Sequence, residues 1–172
     1  MKFKYRIGIL GGSFDPAHKG HLTISKIAKK KFKLKKIIWA ITKKNPFKKK
    51  SSITINERIQ QCKKIIKSSK FIEVKFFEKI TNSNKTVDLI NYFIKKNKFE
   101  IYFLMGADNL INFHRWHKWK IISQKCKIIV FDRQGYKKKS LNSISFKRLN
   151  GKNLNFIKFK KVNISSSQLR KI

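Results

Sequence analysis

The sequence predicts an α/β protein: a mainly parallel, doubly wound sheet with helices packed on both faces. Two observations carry that reading. Short apolar runs alternate with segments of helical period along the chain, the pattern of strand–helix–strand units whose crossovers cover both sides of a sheet. No internal repeat and no Pro/Gly/Ser-rich linker interrupts the alternation, so residues 1–172 are expected to form a single domain.

The elements follow in order. Tyr5-Arg6-Ile7-Gly8-Ile9-Leu10 is a short apolar run closing on Gly11-Gly12, and reads as a buried strand ending in a turn. Residues 20–33 place Leu22, Ile24, Ile27, Ala28 and Phe32 at helical spacing. Lys36–Ile41 is a second strand, and a Lys-rich loop with Asn45-Pro46 follows it. Thr54–Ser68 is a helix with Ile59, Cys62, Ile65 and Ile66 on one face and Thr54 or Asn56 as its cap. Phe71–Val74 is a third strand and Thr86–Lys96 a further helix. Ile101–Met105, ending at Gly106, is a fourth strand and Lys127–Phe131 a fifth. A weaker strand is expected around Phe156–Phe159.

Composition bounds the function. Hydrophobic residues make up 41% of the chain and include 15 Phe, enough apolar mass to argue against wholesale disorder. The formal net charge is +36. One reading is a nucleic-acid binder. Against it, only six of the 44 basic residues are Arg, and lysine is spread evenly among abundant Ile and Asn. That is the mark of biased composition, not of a patch built for bidentate phosphate or guanine contacts. No specific nucleic-acid partner is expected. Cys62 and Cys126 make neither a disulfide framework nor a zinc knuckle. No apolar run approaches the ~20 residues of a membrane span. The N-terminus runs straight into a strand with no signal-peptide core. The expectation is a cytoplasmic protein without a membrane partner.

In a doubly wound sheet, ligands sit beyond the carboxyl ends of the strands, where strand order reverses. The places to search are therefore the residues after Leu10, Ile41, Met105 and Phe131. After Leu10 comes Gly11-Gly12-Ser13-Phe14-Asp15-Pro16-Ala17-His18-Lys19-Gly20-His21. This is neither a Walker A loop nor a Gly-x-Gly-x-x-Gly fingerprint. Two glycines allow close approach of backbone to ligand. His18 and His21, three apart at a helix start, share one face near its positive end. That arrangement suits a phosphate whose oxygens gain charge during reaction. No third ligand at metal spacing accompanies the pair.

The segment resembles the Gly-Gly-Ser-Phe-Asp-Pro-x-His-x-Gly-His signature of the His-x-Gly-His nucleotidylyltransferase superfamily. Ile164-Ser165-Ser166-Ser167-Gln168-Leu169-Arg170 resembles the superfamily's second signature. Hydroxyls and unpaired N–H groups at a helix start, with a guanidinium fork, suit a second phosphate clamp. Between them, Gly106-Ala107-Asp108 with Trp116 resembles the Gly-Ala-Asp…Trp stretch of bacterial-type nicotinate-nucleotide adenylyltransferases. Thr86 matches that family's Ser-Tyr-Thr-x-Asp segment, where Asn84 and Lys85 depart. Arg133-Gln134-Gly135-Tyr136 resembles its Arg-Pro-Gly-Tyr turn, and the loop holding Lys48 resembles its substrate loop.

The resemblance implies a Rossmann-like fold and transfer of adenylate from ATP to nicotinate mononucleotide in NAD biosynthesis, with Mg2+ carried on ATP. It implies catalytic roles for His18 and His21. It implies ATP contacts from Gly11, Gly12, Ser13, Phe14, His18, His21, Gly106, Asp108, Ser166, Ser167 and Arg170. It implies mononucleotide contacts from Thr86, Trp116, Lys48 and Arg133. The nearest rival is a sister enzyme such as pantetheine-phosphate adenylyltransferase, which has Thr at the position of His18 and lacks the Gly-Ala-Asp…Trp block. A basic RNA-binding protein is the rival from another class.

Overall fold

The computed structural model describes residues 5–43 and 53–158, apart from the side chains of residues 96 and 97. Among the described residues six strands form one sheet in the order β3-β2-β1-β4-β5-β6, and every pairing is parallel. They are β1 (Arg6–Gly12), β2 (Lys36–Ile41), β3 (Ile72–Phe76), β4 (Glu100–Gly106), β5 (Lys127–Phe131) and β6 (Leu154–Ile157). Strand order reverses between β1 and β4, so a crevice opens beyond their carboxyl ends.

The period of two decides which side chain faces which helix layer. Ile7 and Ile9, Ile38, Ile101 and Phe103, and Ile128 and Val130 point into one core cluster; Leu10, Ile37 and Trp39, Tyr102 and Leu104, and Ile129 and Phe131 point into the other. The second cluster is covered by α1 (Lys19–Phe32) and α2 (Ile55–Ile66). The first is covered by α4 (Thr86–Asn97), α5 (Ala107–Asn112) and α6 (Trp119–Lys125), and the short α3 (Glu78–Thr81) precedes α4. Two further short helices, α7 (Lys137–Leu141) and α8 (Ile144–Leu149), lie between β5 and β6. The expected α/β doubly wound sheet is the observed fold.

Two details differ from expectation, and a third decides between two alternatives. First, β1 does not stop at the glycines; Gly11 pairs with Ala40 and Gly12 with Ile41. The turn begins only at Ser13, because two residues without side chains can extend a ladder as well as break one. Second, the last strand is Leu154–Ile157, two residues earlier than expected, with Leu154 paired to Ile128. Phe159 lies outside the described residues. Third, of the two caps the sequence left open for α2, the structure uses Thr54. Its Oγ1 accepts from Glu57 N at 3.2 Å while Glu57 accepts from Thr54 N at 2.7 Å.

Candidate active site

The turn after β1 is held from below. Phe14 is 1% exposed and adopts φ +49°, a left-handed conformation unfavourable for a bulky residue. Packing holds it there: its ring stacks on Trp39 at 5.0 Å and leans on His21 at 4.8 Å. Trp39 is fully buried and donates its indole N–H to Ser25 Oγ at 2.9 Å, and Ser25 donates onward to the His21 carbonyl at 2.8 Å. A chain of contacts thus runs from the core strand β2 to the start of α1.

At that start the two histidines cap the helix. Gly20 N–H donates to His18 Nδ1 at 3.1 Å, and His18 N–H donates to His21 Nδ1 at 3.2 Å. The ring centroids lie 3.9 Å apart. An Nδ1 that accepts a backbone N–H has no proton of its own, so each neutral ring carries its proton on Nε2. Two Nε2–H donors therefore stand side by side at the positive end of α1, beside the end of β1.

The glycines that precede this turn border a cleft of about 570 Å³. Gly11 and Gly12 from β1, Ala40 and Ile41 from β2 and Thr42 just beyond it form its floor, with Phe103 from β4. The far wall is the segment from Ser83 to Thr86 leading into α4, together with Arg115, Trp116 and His117. Trp116 is propped edge-on by Phe103 at 6.0 Å and Phe113 at 5.3 Å. Lys85, the N-cap residue of α4, makes no side-chain cap. Instead Ser83 Oγ accepts from Lys85 N at 3.1 Å and donates to Asp88 at 2.6 Å.

A third group lies at the ends of β4 and β5. Asp108 pairs with Arg133 at 2.6 Å. A Cβ at Gly106 would stand 2.5 Å from Asp108 Oδ1, so any other residue there would push the carboxylate aside.

The structure thus brings Gly11, Gly12, Thr86 and Trp116 into one cleft, while His18, His21, Gly106 and Asp108 are not among its lining residues; His21 connects to it through the Phe14 ring, which it touches and which packs near Gly12. Ser13 belongs to the turn between the glycines and the histidines, while Phe14 turns its ring into the core. Arg133, expected with the mononucleotide, stands with Asp108 and is not among the residues lining the cleft. Lys48, Ser166, Ser167 and Arg170 lie outside the described residues. Sequence reasoning missed Glu78, Arg115 and His117 on the cleft wall, and it missed Arg58. Arg58 is 2% exposed in α2 and shares a face with Cys62, whose thiol burial pushes up to about 12 against the pull of Arg58. A charge inside an otherwise apolar helical stripe was the signal that could have found it.

Similarity to known proteins gives the family. The cytidylyltransferase-like family model matches residues 9–172. A protein of Pelagibacter ubique (strain HTCC1062) named "Probable nicotinate-nucleotide adenylyltransferase" is 66% identical over 98% of this chain and 94% of its own length. The chain belongs to that family. A protein of the same name from Bradyrhizobium sp. (strain ORS 278) is 36% identical over 80% of this chain and 72% of its own. Among solved structures, the nicotinic acid mononucleotide adenylyltransferase of Plasmodium falciparum in complex with NaAD superposes with a TM-score of 0.79, covering 97% of this chain and 83% of that one. At 24% identity this last likeness speaks for the shared fold. The resemblance read from the two sequence signatures is borne out, and the chain is a nucleotidyltransferase of the nicotinate-nucleotide adenylyltransferase family. No helix among the described residues is long and apolar enough to cross a membrane.

Proposed function

We propose that the cleft at Gly11 and Gly12, together with His18 and His21, joins ATP to nicotinate mononucleotide, giving nicotinate adenine dinucleotide and pyrophosphate on the route to NAD. The observation that carries this reading is the reciprocal cap. Folding alone sets two Nε2–H donors at a helix start, in the turn that follows the two glycines of a cleft with a tryptophan wall.

A phosphate oxygen of the mononucleotide attacks the α-phosphorus of ATP, and pyrophosphate leaves from the opposite side. No protein nucleophile takes part. Catalysis is positioning plus stabilisation of charge on the transferring group. His18 and His21 donate to its oxygens. Gly11, Gly12 and Ser13 let the backbone come close to the nucleotide. Gly106 and Asp108 lie toward its ribose, with Arg133 holding the Asp108 carboxylate. Ser166, Ser167 and Arg170 take the β and γ phosphates, and Mg2+ arrives with ATP as part of that substrate. The indole of Trp116 stacks on the cationic pyridine ring. Thr86 and the N-terminal amides of α4 receive the nicotinate carboxylate, and Lys48 adds charge to the mononucleotide side.

An acceptor panel tests the assignment. Purified protein with MgATP is offered nicotinate mononucleotide, nicotinamide mononucleotide and phosphopantetheine, and pyrophosphate release is followed. The first acceptor is expected to give the highest kcat/KM. Preference for phosphopantetheine would move the chain to the sister activity, and nicotinamide preference would remove the carboxylate role of Thr86.

A further inference from the structure

We infer that Arg58 is a positioning residue for the reaction: its guanidinium ties the turn after β1 to the end of β2 and thereby sets where His21 stands. This rests on the reading of His21 as a donor to the transferring phosphoryl group.

The geometry is specific. Arg58 Nη1 donates at 2.8 Å to the Ser13 carbonyl and at 2.8 Å to the Thr42 carbonyl. These carbonyls belong to the loops leaving two neighbouring parallel strands at the cleft end of the sheet. Near this end of the ladder, Thr42 N–H donates to the Gly12 carbonyl at 2.9 Å. One nitrogen of a planar, rigid group bridges both loops, which a flexible chain could not do with the same definition.

The Ser13 carbonyl is part of the peptide unit that leads into Phe14. Fixing it fixes the entry to the left-handed φ of +49° at Phe14. That conformation places the Phe14 ring between Trp39 and His21. The path from guanidinium to imidazole is therefore short and contiguous: Arg58, the Ser13 carbonyl, the Phe14 ring, the His21 ring.

The charge itself calls for a reason. Burying a guanidinium against two neutral carbonyls is unfavourable, and an apolar side chain of similar volume is often at least as stable in such a place. Burial pulls Arg58 below its ordinary value, opposed by Asp15, Cys62 and Glu78. Its Nε is buried with no partner among the described residues. A residue serving only to fill the space under the turn has no need of that charge. A residue that must hold two carbonyls in register does.

The test compares Arg58→Met, Arg58→Lys and His21→Ala. Each is measured by thermal unfolding, by kcat and KM for both substrates, and by the imidazole 15N shifts of His18 and His21 in labelled protein. Arg58→Met is expected to unfold cooperatively and lose about 10-fold or more in kcat, the scale of a sub-ångström to 1 Å misplacement of a catalytic group. KM for each substrate should change less than about 3-fold, because no substrate contact is removed. The His21 signal should shift away from a pure Nε2–H form. Arg58→Lys should fall between Arg58→Met and the natural chain. Native kcat with native 15N shifts in Arg58→Met overturns the proposal. So does a kcat loss that vanishes on cooling below the unfolding range. Should Arg58→Met not fold, native kcat and shifts in Arg58→Lys overturn it equally. His21→Ala separates the two readings: if its turnover is native, the catalytic role of the pair falls and this inference with it. If it is slow while the Arg58 variants are native, only Arg58 is misassigned.

Discussion

On the histidine side of the cleft the supporting side chains are interior ones: Phe14 is 1% exposed, Asp15 3%, Arg58 2% and Trp39 0%. On the opposite side, Asn84, Lys85, Arg115 and His117 are exposed, while Leu89 and Trp116 lean on the core. The first wall is fixed by the same packing that makes the protein fold. The second is a surface loop and a helix start whose residues can change without disturbing the sheet. The group that must be placed to a fraction of an ångström sits on the rigid wall, and acceptor recognition sits on the adaptable one.

Substitutions can break or sharpen that contrast. The largest effect is expected from Phe14→Ala. It removes a buried ring and should cost about 3–5 kcal/mol of stability in urea unfolding, with turnover falling as His21 loses its support. Full stability in this variant would show that the histidine wall is not built from the core. Next comes His21→Ala, which should lower kcat by about 10²-fold or more, the scale of one lost preorganised donor. Native turnover in a folded protein would remove the imidazole from the chemistry. Trp116→Ala should raise KM for the mononucleotide by about tenfold with kcat held within about twofold, a loss of ground-state and transition-state binding alike. A kcat effect larger than the KM effect would erase the division between the walls. Lys85→Ala should change stability by less than about 0.5 kcal/mol, as for most surface positions. It should weaken acceptor binding only at low salt, since an exposed cation is screened within about 8 Å at physiological ionic strength.

The smallest effect lies away from the cleft, where Glu100 bridges Arg6 and Lys127, each at 2.9 Å. Burial works to raise the Glu100 carboxyl, and hydrogen bonds from Lys127 and Arg6 outweigh it, leaving it below the ordinary glutamate value. A carboxyl depressed in the folded state stabilises above its unfolded value, and that contribution is lost as pH falls through the folded value. Glu100→Gln should therefore remove a small acid-side slope from the stability profile and leave neutral-pH activity unchanged.

Much of this was legible before any coordinates. The five longer strands announced themselves as apolar runs, and α1, α2 and α4 as stripes with 3.6-residue spacing. The short α3, α5, α7 and α8 run four to six residues. Under two turns there is no period to read, and such pieces are set by what they pack against. The histidine pair was visible because its residue types are rare at that spacing. Arg58 was harder to see: its place on the apolar stripe of α2 with Ile59 and Cys62 was its one mark, and among 44 basic residues that mark did not stand out. From spacing alone Trp116, three before Trp119 and six before Ile122, reads as part of a core stripe, and only the family resemblance makes it a ligand platform. The structure gives it a share of each, propped by Phe113 and Phe103 yet lining the cleft.

Imidazole is an unusual choice to open a helix, since Ser, Asp and Asn do that job better. An engineer scoring this chain on heat resistance alone would be led to replace His18 with aspartate or serine, and the melting temperature would reward the change. The improved protein would be a sturdier but idle one. At this position the molecule is kept below the best durability its fold allows, and a library selected only for survival would drift away from turnover.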